Sequence, residues 1–307
     1  MLDLSIIIVS YNTKKLLLDC IDSIIKNTKK ISYEIIVVDN ASRDDSVEAL
    51  EKLKIQSLQF TVIQNKENFG FAKANNQGMK IAKGQFILLL NSDTIVKANI
   101  FSEMIPWMSV RKEVGIVSCA LRNKDGSLQG SGGSFPTLFR VFAWMFFLED
   151  IPLLDSLIDP FHPMHPSSPF YKGERQFIRA REKDWVTGAF FLLKKELIDE
   201  VGYFDEDYFI YTEEVDLCFR AKKKGWKIWY LPKWSIIHLG GASSTSEFAI
   251  ISEYKGIKTF YKKHMPAWQA PLLKLFLKCG AILRIILFGV LKGTKIANVY
   301  VKAFQVA

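Results

Sequence analysis

Leu4-Ser5-Ile6-Ile7-Ile8-Val9-Ser10-Tyr11-Asn12 opens the chain on an apolar run that stops at three polar residues. Asp3 precedes it and no basic leader exists, so it reads as a first core strand and not as a signal peptide. Similar runs follow at 35–38, 60–63 and 86–90, separated by helical patterns near 14–27, 44–53 and 72–82. Strands apolar on both faces, alternating with helices, predict an α/β fold with a mostly parallel sheet flanked by helices. Such sheets bind ligands at the carboxyl ends of their strands. Polar residues stand at each of those ends: Ser10-Tyr11-Asn12, Asp39-Asn40-Ala41-Ser42, Asn65-Lys66-Glu67-Asn68 and Asn91-Ser92-Asp93.

A dinucleotide fold or a methyltransferase needs a glycine-rich turn after the first strand, where this chain has Ser10-Tyr11-Asn12-Thr13. No GxxxxGK[ST] phosphate loop occurs either. Phosphates must be held another way, most simply by a metal.

Of the 307 residues, 49% are hydrophobic and 24% charged, which excludes disorder and a collagen-like chain. The net charge of +9 is unevenly placed. Residues 1–253 carry 31 Lys/Arg against 32 Asp/Glu, and the other ten basic residues follow Glu253, the last acidic one. A basic nucleic-acid cleft is not what this distribution suggests. The four cysteines are scattered without ligand spacing, as buried thiols of a reducing compartment are, and a cytoplasmic location is expected.

Residues 131–173 change character, being rich in aromatics (Phe142, Trp144, Phe146, Phe147, Phe161, Phe170) and broken by prolines. This suggests an irregular lid or a membrane-facing insertion. Order resumes with a strand at 190–193, a helix at 212–224 stopped by Gly225, and a strand at 226–231. In the tail, residues 271–290 are mostly apolar but hold Lys274, Lys278 and Arg284. On a helical wheel these three, with Lys292 and Lys295, fall within roughly 120°, the pattern of a helix lying in a membrane interface. The expected division is a catalytic domain over 1–253 and a basic amphipathic helical tail over 254–307.

Asp93 can reach a divalent metal or cap the next helix. Asp39 can accept hydrogen bonds from a base or ribose. Six carboxylates crowd into residues 204–216, interleaved with aromatics, a setting in which one could be poised as a general base. His238 precedes a Gly-Gly turn and could be structural or a ligand. His162 and His165 have no assigned role.

Taken together, these residues resemble glycosyltransferase family 2. The match runs through Val9-Ser10-Tyr11-Asn12, Val37-Val38-Asp39-Asn40-Ala41-Ser42, the stretch from Asn68 to Gly78, Leu88-Leu89-Leu90-Asn91-Ser92-Asp93, Trp185-Val186-Thr187-Gly188-Ala189, the stretch from Tyr211 to Arg220, and His238. The flavour is that of the rhamnosyltransferase-like branch of cell-surface polysaccharide synthesis.

The resemblance implies a GT-A fold, a nucleotide-diphosphate-sugar donor (dTDP- or UDP-linked) and inversion at the anomeric carbon. It assigns Asp39 to the base, with Ser10, Asn12, Asn68, Gly70 and Asn91 around the nucleotide. It assigns Asp93, with His238, to Mg²⁺ or Mn²⁺. Glu213-Glu214 becomes the acidic pair, with Glu214 the catalytic base, and Trp185, Gly188, Ala189 and Asp216 line the sugar and acceptor side. The family often has Asp where Asn91 stands, and commonly Asp where Glu214 stands. No QxxRW motif follows Glu214, so one sugar per visit is implied. Lipid-linked or saccharide acceptors, the inner face of the membrane and an open question of homo-oligomerisation complete the expectations. The competing reading is a catalytically silent nucleotide-sugar-binding scaffold.

Overall fold

The computed structural model describes residues 2–54, 59–151, 158–162, 179–240 and 246–307. Proline-rich residues 163–178, with His165 and Phe170, lie outside the described residues, as does Gly241.

The four early strands form as β1 (Leu2–Ser10), β2 (Tyr33–Asp39), β3 (Phe60–Gln64) and β4 (Gly84–Asn91). Between them run α1 (Lys14–Asn27), α2 (Ser46–Lys54) and α3 (Phe71–Ile81). Beyond β4 come β5 (Thr94–Ile95), α4 (Phe101–Ser109), β6 (Val114–Arg122), β7 (Gly132–Gly133) and α5 (Leu138–Met145). The chain continues through β8 (Arg181–Glu182), β9 (Trp185–Val186), β10 (Phe190–Lys194), α6 (Lys195–Val201), α7 (Glu213–Lys223) and β11 (Lys227–His238). It ends in α8 (Ser246–His264), α9 (Gln269–Lys292) and α10 (Thr294–Val306).

A nine-stranded sheet has the order β3-β2-β1-β4-β10-β6-β11-β5, with β8 also on β11. Strands β1–β4, β6 and β11 run one way, while β10 lies antiparallel between β4 and β6. The mostly parallel sheet expected from the sequence is present, made mixed by antiparallel β10, and its apolar strands explain why. Ile6 and Ile8 face one core, with Leu17, Ile21 and Leu88; Ile7 faces the other, with Ile36, Leu89 and Phe191. Burying both faces stabilises at roughly 25 cal/mol per Å² of apolar surface.

Several features differ from the sequence reading, among them the regular helix α5 inside the region expected to be irregular. The last strand extends past residue 231 to His238, across a register shift between Leu231 and Ser235. The tail helix α9 also forms with Arg284 outside any exposed basic stripe. Its Nη1 donates to the carbonyl of Met145 (2.6 Å) and its Nη2 to that of Trp144 (2.8 Å), at the carboxyl end of α5. A cation there meets the negative end of a helix dipole, so docking outweighs solvation. The aromatics of the 131–173 region join this contact, Phe142 against Phe276 and Phe147 against Phe288. Gly280 lies so close to Met145 that a Cβ could not be accommodated without a shift.

The other side of α9 remains uncovered, with Leu272, Leu275, Ile282, Ile286 and Val290 exposed. Among the described residues, no helix is long and apolar enough to cross a membrane. Residue 253 lies within α8, whose Tyr254, Ile257 and Phe260 share a core with the central sheet.

Candidate active site

Asp39 ends β2 and is fully buried. Its Oδ2 accepts from the Ser42 N–H (3.0 Å), while Oδ1 has no partner. An unpaired buried carboxylate oxygen costs about 1–3 kcal/mol or more, so its retention points to a ligand donor. Ser10 is tied to Thr13 (2.9 Å), and Thr13 in turn to Ser92 (3.1 Å), which joins the ends of β1 and β4. Asn12 sits at φ 54°, its N–H donating to Ser42 Oγ (2.9 Å) and its Oδ1 accepting from the Arg43 N–H (2.7 Å). It therefore shapes the Asp39 loop through its own polar groups.

Asn40, which the sequence reading gave no role, holds the next loop. Its Nδ2 donates to Asn68 Oδ1 (2.8 Å) and to the Gly70 carbonyl (3.1 Å), and its Oδ1 accepts from Asn65 and from the Phe69 N–H. Asn68 also accepts from the Gly70 N–H (2.9 Å). Gly70 takes φ 84° and lies against the Phe209 carbonyl, where a side chain would clash. That contact brings the loop before the acidic pair onto the start of α3, where the Phe71 N–H donates to the same carbonyl (2.6 Å). Asn76 adds two hydrogen bonds to the Phe204 backbone (2.9 and 3.1 Å).

Beside β4, the Asn91 N–H donates to the Ala189 carbonyl (3.1 Å), which sets residues 185–189 next to the strand end. Gly188 faces Phe71, and Trp185–Val186 packs on α7. Trp185 is buried and spends its indole N–H on the Ser134 carbonyl (3.1 Å), so it is an apolar wall without a free polar handle.

Asp93 is buried, with its Oδ1 at 3.3 Å from His238 Nε2 and its Oδ2 unpartnered. The Leu239 N–H donates to the Asp93 carbonyl (2.9 Å), which fixes the two residues side by side. A hard carboxylate oxygen, an imidazole and an orphaned buried oxygen fit Mg²⁺ or Mn²⁺, cations that take their remaining ligands from phosphate and water. Among the described residues there is no group of three or more His, Cys, Asp or Glu that could hold a metal, so the protein's share is small.

Glu213 and Glu214 open α7 after two consecutive residues in the left-handed region, Tyr211 (φ 67°) and Thr212 (φ 76°). Neither is glycine, and backbone strain of this kind costs about 1–3 kcal/mol per residue. Glu213 Oε2 and Glu214 Oε2 are buried and unpartnered. Burial pushes Glu214 up to about 7; backbone N–H groups pull against that, Glu253 adds to it and His162 opposes it. Burial, then the charge of Glu214, also raises Glu213 well above the ordinary carboxylate value. His162 Nε2 lies 2.6 Å from Glu253 Oε1. Burial alone would lower the imidazole, but Glu253, Glu149 and Glu214 outweigh it and raise it.

The expectation that Asp216 lines the pocket is not what its contacts suggest. It is buried, one oxygen accepting from Arg220 Nε (2.8 Å) and the other 2.5 Å from His264 Nε2. Arg220 runs on to the Val201 and Tyr203 carbonyls. Both Asp216 oxygens are thus occupied, one by Arg220 a turn further along α7 and one by His264, a partner that no sequence motif reports. His162, Glu253 and Gln129 were absent from the sequence-derived site for the same reason.

Comparison with known proteins matches residues 5–202 to the model of "Glycosyl transferase family 2". An N-acetylglucosaminyl-diphospho-decaprenol L-rhamnosyltransferase of Mycobacterium tuberculosis is 27% identical over 190 residues, 61% of this chain and 58% of that protein. The glycosyltransferase GlyG of Streptococcus pneumoniae is 28% identical over 207 residues, 65% of this chain and 59% of that one. The chain thus spans under two thirds of the length of these curated relatives. A mannosyltransferase from Pyrobaculum calidifontis, solved with GDP-Man and Mn²⁺, superposes with a TM-score of 0.60 at 16% identity, over 99% of this chain and 88% of that one. The fold is therefore GT-A, and with nearly two hundred residues matched, from the first strand to the helix before the acidic pair, the chain belongs to glycosyltransferase family 2.

Proposed function

We propose that the protein moves one sugar, with inversion, from a nucleotide-diphosphate donor to a lipid-linked or saccharide acceptor in cell-surface polysaccharide synthesis. The observation that carries this reading is the set of unpaired, buried carboxylate oxygens on Asp39, Asp93, Glu213 and Glu214. Four such oxygens amount to a cost of several kcal/mol at about 1–3 each, and a ligand would offset it. The mycobacterial relative, named for rhamnosyl transfer to a decaprenol-linked sugar, supports rhamnose and a lipid-linked acceptor.

In this reading Asp39 accepts hydrogen bonds from the pyrimidine base, and the Asn68–Gly70 turn, ordered by Asn40, closes around the nucleotide. Asn91 and Gly188–Ala189 stand between nucleotide and acceptor. Asp93 and His238 would hold Mg²⁺ or Mn²⁺, which when bound offsets the negative charge developing on the departing diphosphate. Glu214 takes the proton from the acceptor hydroxyl as that oxygen attacks the anomeric carbon. Its pKa, raised to about 7, suits the task, since a base with a pKa near the working pH balances proton affinity against the fraction left ionised. One in-line displacement requires no covalent intermediate.

The uncovered apolar side of α9, with exposed Lys274 and Lys292 on α9, exposed Lys295 on α10 and no acidic residue after Glu253, supports docking on an anionic membrane face. In this reading residues 254–307 form a peripheral anchor on the cytoplasmic side. The test is a panel of UDP- and dTDP-sugars with Mn²⁺ or with EDTA. The true donor raises the melting temperature by mass action and is consumed only with metal present. A panel without stabilisation or turnover contradicts the proposal.

A further inference from the structure

Gln129 makes hydrogen bonds that leave its amide one orientation. Its Nε2 donates to the His238 carbonyl (2.8 Å) and to Asn123 Oδ1 (2.6 Å), neither of which can donate. Its Oε1 therefore faces His238 Nδ1 at 2.7 Å and can only accept, so Nδ1 carries the hydrogen. A tight hairpin holds the residue in place. The Asn123 N–H donates to the Ser127 carbonyl (2.8 Å), Gly126 turns the chain at φ 87°, and the Gln129 N–H donates to the Leu121 carbonyl (2.8 Å). Asn123 is oriented in turn, its Nδ2 donating to Ser127 Oγ (2.9 Å).

The consequence falls on the other side of the ring. His238 Nε2 lies 3.3 Å from Asp93 Oδ1. In the opposite tautomer, Nε2–H would bond to that carboxylate and each group would occupy the other. We propose that Gln129 is a positioning residue that holds the hydrogen of His238 at Nδ1, so that Nε2 and Asp93 together face a divalent cation. This rests on the metal reading above and goes beyond it by naming what prepares the imidazole. Outer-sphere partners of this kind set ligand orientation and basicity.

The test uses the full chain with Mn²⁺ titrated by electron paramagnetic resonance, in parallel arms with UDP and dTDP. Gln129→Leu should bind Mn²⁺ roughly 10–100-fold more weakly than the wild type. Gln129→Glu, which still accepts from Nδ1–H but cannot donate to the His238 carbonyl, should stay within about threefold, a small part of that range. In the Mg²⁺-saturated wild type, long-range ¹H–¹⁵N spectra should show His238 protonated at Nδ1 and bare at Nε2. Wild-type-like binding by Gln129→Leu, equal losses in both variants, or a His238 Nε2–H overturns the inference while leaving the metal reading intact. A wild type that binds no Mn²⁺ with either nucleotide removes both.

Discussion

Gly256 of α8 packs its backbone directly on the Thr212 side chain and the Tyr211 carbonyl, leaving no room for a Cβ. Thr212 and Tyr211 are the two strained residues that aim Glu213 and Glu214. A helix that straddles the expected domain edge therefore clamps the acidic pair. Gly256→Ala should destabilise by about 1–3 kcal/mol through overpacking. It should also lower turnover more than donor affinity, which urea unfolding and a kcat/KM split will read. Unchanged stability and kcat would show the clamp to be irrelevant.

The Arg284 latch makes a second prediction. Arg284→Met retains the apolar stem but removes the donors to the Trp144 and Met145 carbonyls. Hydrogen bonds from a charged donor contribute about 1.5–3 kcal/mol each, so a loss of a few kcal/mol is expected. Limited proteolysis should cut the α9 region faster in the variant. Equal cutting rates would mean that the aromatic contacts alone hold the tail.

Membrane docking is read by flotation with vesicles. The wild type should float with anionic vesicles and not with neutral ones, and Ile286→Glu together with Val290→Glu should abolish it. Both residues are exposed, so the folded domain should be untouched. Flotation that survives the double substitution would move the contact elsewhere.

Three buried carboxylates predict the sign of the pH dependence of stability. Glu149 is raised to about 8 and Glu214 to about 7, both chiefly by burial, and Glu213 is likewise raised well above its ordinary value. Above the ordinary carboxylate value of about 4.5 the folded state then binds more protons than the unfolded one. Stability contributed by these groups is full at acidic pH and declines as pH rises from about 4.5 through 8. Glu149→Gln should flatten that decline in denaturant titrations at pH 5, 7 and 8. A slope identical to wild type would show that Glu149 does not contribute.

Much of this architecture was legible in the chain. The early strands and α1 and α3 fall within about two residues of their expected ends, because buried parallel strands write long apolar runs. Strand β6 (VGIVSCALR) was passed over: Ser118, Cys119 and Ala120 dilute its run, although it is buried almost throughout. Asp39, Asn91 and Asp93 could be placed at or just past strand ends because the apolar runs mark where those strands stop. Asp216 and Arg284 each have a partner that the local sequence does not show. Each charge is satisfied by groups far away in sequence, His264 in one case and the Trp144 and Met145 carbonyls in the other. Gln129 had a local signal, the Asp125-Gly126 turn that announces a hairpin, but its partner lies more than a hundred residues on.

The most direct measurement is single-turnover transfer by Glu214→Gln with the donor that the sugar panel identifies and Mn²⁺ present. Donor affinity should stay near that of the wild type while the transfer rate falls by roughly 10²–10⁴, the range for loss of a general base. Transfer at the wild-type rate would show that another group deprotonates the acceptor, and the assignment of Glu214 would be wrong.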